Sequence, residues 1–291
     1  MGYYLHYMHD LFTTIIFGLA ASLCWGSGDF SGGLASRRAS AASVVIAGYS
    51  VGFVLLVVLA LIWREPVPTP ADLLWGALAG VAGVLGLLAF YIALASGKMG
   101  IAAPVSAVLT ATLPVLFSGL TSGLPTPLQL GGFVLALLAI GLISRPERTH
   151  GQPQGIGLAV LAGCGFGCFF ILISRVTPGV TFWPLAVARF TAVLLLLALM
   201  RLRRQQILPG MGMIGASLVG LVVLGGTLDA SGNAFFVLAA HSGRLDVAAI
   251  LSSFYPAATV LLAALVLGER VTRTQVIGIL LVLLALPMIS T

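Results

Sequence analysis

The sequence predicts an all-α integral membrane protein of ten transmembrane helices in two inverted five-helix repeats. Three observations predict it. Of 291 residues, 59% are hydrophobic and only 8% charged, with a mean hydropathy of +1.13, whereas a soluble domain carries roughly 25% charged residues. Ten apolar runs have about the length a helix needs to cross a bilayer. The second half of the chain also resembles the first. A slide of 146 residues aligns 90–144 with 236–290 without a gap, and 18 of those 55 positions are identical. Five helices per copy is an odd number, so the second copy must cross the membrane upside down.

The runs follow in order. The first, 11–33, carries Trp25 and the stretch Gly26-Ser27-Gly28-Asp29. Gly28 and Gly32 form a G-x-x-x-G that lets another helix approach closely. The second, 43–63, and the third, 72–96, are flanked by Trp63 and Trp75. The fourth and fifth span 99–120 and 127–143. The polar connector SRPERTHGQPQ at 144–154 then divides the chain into repeats at 1–150 and 151–291. The sixth run, 155–174, holds Cys164 and Cys168, and the seventh, 182–200, holds Trp183 and Arg189. The eighth, 212–240, is interrupted by Gly225-Gly226 before Asp229 and Asn233. The ninth, 246–267, carries Ser252 and Tyr255, and the tenth is 274–289. The first run pairs with the sixth at an offset of 139, through Gly18-Leu19-Ala20 with Gly157-Leu158-Ala159 and Phe30 with Phe169.

The formal charge of +6 is scattered between apolar runs, which gives no basic face for nucleic acid. Its distribution sets topology instead. Arg37, Arg38, Lys98, Arg145, Arg148, Arg201, Arg203, Arg204, Arg270 and Arg273 fall in odd-numbered loops, against Arg64, Arg175 and Arg244 in even ones. The positive-inside rule then puts both termini outside a cell membrane and Trp63, Trp75 and Trp183 at its outer interface. The N-terminal MGYYLHYMHD lacks the basic region of a secretory signal, and His6 breaks a myristoylation pattern. Three cysteines, all in apolar runs, give no disulfide framework. Cys164 and Cys168 share a helix face without a His or carboxylate nearby, which is a poor metal site. No cofactor or metal is expected.

Four stretches carry a family resemblance: Trp25-Gly26-Ser27, Tyr91-Ile92-Ala93-Leu94-Ala95-Ser96-Gly97, Leu267-Gly268-Glu269-Arg270 and Thr274-Gln275-Val276-Ile277-Gly278. With them the chain resembles the EamA-type members of the drug/metabolite transporter superfamily over nearly its whole length. The resemblance implies a carrier of small metabolites, often amino acids or related compounds and often for export. It also implies a central cavity lined mainly by helices 1, 3, 4, 6, 8 and 9. The chain departs from the pattern where Gly123-Leu124 stands opposite Glu269-Arg270, and in its glycine-rich, acidic GSGDFSGG.

A charge in a span costs at least about 2.5–3.5 kcal/mol, so each one is a functional candidate. Arg189 lies roughly 12 Å and Asp229 roughly 18 Å from the outer side at 1.5 Å per residue, so the two can pair. Asp29 falls roughly 27 Å from that side, where gating or pairing with Arg37 and Arg38 is expected. Asp229 and Asn233, one helical turn apart, are expected to line a substrate or coupling site while Arg189 tunes Asp229. A purely structural Arg189–Asp229 pair is the competing reading. Trp25, Tyr91 and Tyr255 are candidate cavity walls and Ser252 a candidate donor, against ordinary helix packing. Glu269 and His241 read as interfacial groups.

The reading that follows is a secondary transporter acting by alternating access on a small-molecule substrate, within a lipid bilayer, with a coupling proton as a candidate partner, as monomer or homodimer. It is not an enzyme. An intramembrane aspartyl protease also has a G-x-G-D, but it needs two facing carboxylates, and Asp29 and Asp229 are expected at different depths. A passive channel is the nearer alternative, yet no ring of filter groups is visible.

Overall fold

The computed structural model describes residues 2–95, 99–144, 156–202, 215–268 and 270–289. These form α1 (Gly2–Ser36), α2 (Ala41–Ile62), α3 (Pro70–Ala95), α4 (Met99–Thr121), α5 (Pro127–Ile143), α6 (Ile156–Ile173), α7 (Phe182–Leu202), α8 (Ala216–Ser242), α9 (Leu245–Ser252), α10 (Tyr255–Leu267) and α11 (Arg273–Ile289). Seven stretches are long and apolar enough to cross a bilayer, and Val105–Thr121, Pro127–Ile143 and Arg273–Ile289 are shorter apolar helices. Apolar runs become helices because only a helix satisfies its own backbone groups in lipid. The predicted ninth run is two helices. Pro256 lies in the first turn of α10, and without an N–H it cannot continue the hydrogen-bond ladder from α9.

Matching caps start the last helix of each repeat. Thr126 N–H donates to Gln129 Oε1 at 3.0 Å, and Gln129 N–H donates to Thr126 Oγ1 at 3.2 Å. Thr272 and Gln275 repeat the exchange at 2.9 and 3.3 Å. The reciprocal bonds satisfy donors that a helix start leaves unpaired.

The packing of α5 on α11 relates the two copies. A Cβ on Gly132 would lie 2.9 Å from Ile289 Cγ1, and one on Gly278 would lie 2.6 Å from Ile143 Cγ1. Since 278 − 132 and 289 − 143 both equal 146, the contact maps onto itself when the copies are exchanged. That self-complementarity is the signature of a two-fold relation, and the helices run antiparallel across it.

The other pairs follow the same symmetry. Trp25 packs on Gly232 and Gly28 on Asp229, so α1 and α8 run antiparallel, as do α6 and α3 through Gly165 on Gly86. Gly226 meets the carbonyl of Gly48 in α2, and Gly80 meets that of Ala188 in α7. Bare glycines let these backbones touch, which replaces the hydrophobic drive that lipid removes. The helices of one repeat thus pack chiefly on those of the other. One expected offset shifts. Gly26 lies on Tyr255 and Thr259, while Gly167 lies on Leu109 and Leu113. These partners differ by 146, so α1 and α6 correspond at 167 − 26 = 141 rather than 139. Apolar helices align almost equally well at several offsets, and packing decides between them.

The two ends of the bundle differ. At the end bearing the α2–α3 turn, the Glu65 carboxylate accepts from the backbone N–H of Thr181, of Phe182 at 2.8 Å and of Trp183 at 2.8 Å. It satisfies the donors of the α7 N-terminus and sits favourably at the positive end of its dipole. Asp72 accepts from Thr177 N–H at 2.8 Å. Arg244 pairs with Asp246 and donates to the Gly123 carbonyl at 2.9 Å. His241, expected at an interface, lies beside the backbone of Ser174 and Val176. At the α1–α2 end, every residue from Ala216 to Leu224 is at least partly exposed, and a Cβ on Gly32, Gly33 or Gly220 would meet nothing within 4 Å. The first end is fastened by these contacts, and at the α1–α2 end Arg38 Nη1 donates to Ser217 Oγ at 2.8 Å, joining that turn to α8.

Candidate functional site

Arg189 of α7 is 7% exposed. Its guanidinium carbon lies 4.1 Å from the centroid of the Tyr49 ring in α2, and its Nη2 is ion-paired with Asp229 Oδ2 in α8. Gly52 of α2 lies beside it, and a Cβ there would reach Arg189 Nε at an ordinary contact distance of 3.8 Å. A planar guanidinium can stack on an aromatic face while pairing in its own plane. The guanidinium is therefore buried and geometrically specified, its Asp229 partner is 33% exposed, and the pair lies where the two repeats meet.

Asp29 is where the structure departs most from the sequence reading. It does not sit at a helix end away from Asp229. A Cβ on its neighbour Gly28 would lie 3.4 Å from Asp229 N, which sets both carboxylates at one level. Asp29 is within Coulombic reach of Asp229, Tyr49 and Tyr255. The earlier depth was counted from residue 11, but α1 begins at Gly2 and runs 35 residues. The apolar span within it, Asp10–Ser36, is 27 residues, longer than a bilayer needs, so the packing on α8 fixes the level better than a count of residues. Asp29 is ringed by protein yet exposed, and among the described residues it makes no ion pair.

The remaining candidates divide. Asn233 is 4% exposed, and its amide donates to the Asp229 carbonyl one turn back at 3.0 Å. The structure thus shows its side chain bonded to its own helix rather than presented to a cleft with Asp229. Trp25 is packed in an aromatic cluster, stacked at 5.3 Å on Phe170 and edge-on at 6.5 Å to Tyr255. Tyr255 is partly buried at the start of α10. Ser252 is fully buried, and among the described residues its hydroxyl has no hydrogen-bond partner. Tyr91 belongs to α3, but its side chain lies outside the described residues, as does Glu269. Gly28 packs on α8 as the G-x-x-x-G suggests, while a Cβ on Gly32 meets open space.

The charged groups come from α1, α7 and α8, with Tyr49 from α2. Helices 2 and 7 are absent from the cavity set implied by the resemblance. Sequence reading missed Tyr49, and the repeats held the signal. Gly48 on Gly226 and Ala188 on Gly80 give α2 and α7 an offset of 188 − 48 = 140. Tyr49 is therefore the counterpart of Arg189, and the two face each other on the two-fold axis. By the offset of 146, Asp229 answers to Gly83. By 141, Asp29 answers to Phe170. The frame is symmetric and its charges are not.

Residues 12–145 and 153–291 each match the family described as the EamA-like transporter family. The chain belongs to that family. Proteins of the EamA family are transporters rather than enzymes, and this member is a multi-pass membrane protein. The two EamA matches lie on either side of the polar connector. An uncharacterized protein of Methanocaldococcus jannaschii is 29% identical over 136 residues, which is 45% of this chain and 96% of that one. That relative is about one EamA repeat long. A crystal structure of another protein superposes with a TM-score of 0.73 over 94% of this chain and 95% of its own, at 17% identity. So low an identity speaks for the fold alone.

Proposed function

We propose that the protein is a ten-span secondary transporter that moves a small metabolite, amino-acid-like or related, out of the cell by alternating access. The observation that carries this reading is the Arg189–Asp229 ion pair, stacked on Tyr49 where the two repeats meet. Inverted-repeat carriers hold substrate and coupling ions at the repeat interface and rock one part against the other around it. The direction of every glycine-mediated helix pair fits ten alternating spans, with α9 and α10 counted as one. Loop charge puts the fastened end outside, together with both termini, in the cell membrane. The α1–α2 end then faces the cytoplasm.

In this mechanism Asp229 is the group that binds substrate or a coupling proton, and Arg189 holds it in place. Asp229 is one-third exposed while Arg189 is buried, so a ligand that engages Asp229 competes with Arg189 and disturbs an interface shared by both repeats. The test is an untargeted metabolite comparison of cells and spent medium from matched cultures expressing wild type, Asp229→Asn or no protein. One compound class leaving the cell with wild type alone is the expected result. An equal shift with Asp229→Asn would remove Asp229 from the mechanism.

A further inference from the structure

Two carboxylates, Asp29 and Asp229, lie at one level of the bundle, and one guanidinium serves them. Arg189 is committed to Asp229 and stacked on Tyr49. The excess negative charge falls on Asp29, the exposed member of the two. An intramembrane carboxylate without a counter-charge is costly, and its like-charged neighbour raises that cost. The surroundings indicate what would relieve it. Trp25, one helical turn before Asp29, meets the ring of Tyr255 edge-on at 6.5 Å. The start of α10 is held against α1 there, because Thr259 Oγ1 donates to the Gly26 carbonyl at 3.0 Å. One turn beyond Asp29 in the other direction, Gly32 and Gly33 border open space, and Gly220 does so on α8. Asp29 is thus flanked by aromatic side chains toward the fastened end.

We infer that the exposed Asp29 carboxylate binds a small organic ammonium group as its counter-ion, with the Tyr255 ring as wall. Ammonium groups favour a carboxylate flanked by an aromatic face. An anion would meet an uncompensated carboxylate, because Arg189, the cation beside it among the described residues, is already paired. A hard metal ion needs six or more oxygen ligands for calcium and a near-ideal octahedron for magnesium. Among the described residues no three His, Cys, Asp or Glu side chains gather to start such a shell. The inference rests on the carrier reading above and narrows its substrate to compounds bearing a cationic amine.

The test uses the purified full chain in detergent and three probes of one shape: phenethylamine, its N,N,N-trimethyl derivative and phenylacetate. Calorimetric titration is expected to show both cations binding and the anion not. Asp29→Asn is expected to weaken both cations by about tenfold or more, the worth of a charged contact. Phenylacetate binding as tightly as the cations, absence of binding by either cation, or unchanged cation affinity in Asp29→Asn would each overturn the inference. The wild-type comparison needs no variant, so it decides the matter even if Asp29→Asn does not fold. Flux of the same probes into proteoliposomes separates the two readings. A cation that binds without crossing defeats the carrier and leaves the ammonium site, whereas flux with no preference for cations does the reverse.

Discussion

Replacing Arg189 with leucine would leave the Asp229 carboxylate, one-third exposed, uncompensated. Breaking a fully buried pair from one side costs about 3–5 kcal/mol, whereas removing both partners costs far less, and the partial exposure of Asp229 puts this loss below that range. Arg189→Leu should therefore lower the thermal midpoint of the purified protein sharply, and Arg189→Leu with Asp229→Leu should recover most of the loss. Equal losses would mean that the two groups do not interact in solution. The pairing itself was legible in the sequence, because counting residues from the nearest loop put Arg189 and Asp229 within reach. Asp29 was not legible by that count, since α1 is longer than any bilayer requires and its level is set by α8. Asn233 shows another limit. Spacing puts it one turn from Asp229, but spacing does not reveal that its amide satisfies a carbonyl of its own helix.

Helix contacts here depend on absent side chains. A Cβ on Gly226 would stand 2.4 Å from the Gly48 carbonyl, and one on Gly80 would stand 2.3 Å from that of Ala188. Gly226→Val and Gly80→Val should each force backbones apart and lower the yield of folded protein in size-exclusion chromatography. Gly220→Ala, with no atom near the added carbon, should be neutral or stabilising by up to about 1 kcal/mol through helix propensity. Glu65→Gln removes the charge from the α7 N-terminus and should cost roughly 1 kcal/mol in a thermal melt. The helices were largely readable as apolar runs, and the Thr-x-x-Gln starts of α5 and α11 as repeated motifs. The division of the ninth run was not, although Pro256 was its signal. A proline inside a membrane helix kinks it or ends it according to which neighbours satisfy the freed carbonyls.

The two-fold relation between the repeats is open to test on the whole molecule. Cysteines at Gly132 and Ile289, or at Gly278 and Ile143, occupy equivalent contacts. Both pairs should cross-link on mild oxidation with similar efficiency in a cysteine-free background, and one pair reacting without the other would break the symmetry. The repeat was legible in its last three helices, where 18 of 55 residues are shared. Elsewhere it emerges only from which glycine touches which backbone. The charges at Asp29, Arg189 and Asp229 have uncharged counterparts in Phe170, Tyr49 and Gly83, so the symmetric scaffold holds one asymmetric site. A carrier works around a single such site, exposing it to each side in turn. The most direct test is flux of the solute found in the metabolite comparison, measured in proteoliposomes with and without the same solute on the opposite side. The account predicts saturable flux that accelerates when solute is present on both sides, and loss of that exchange in Asp229→Asn. Flux that rises linearly with concentration and ignores solute on the far side would contradict it.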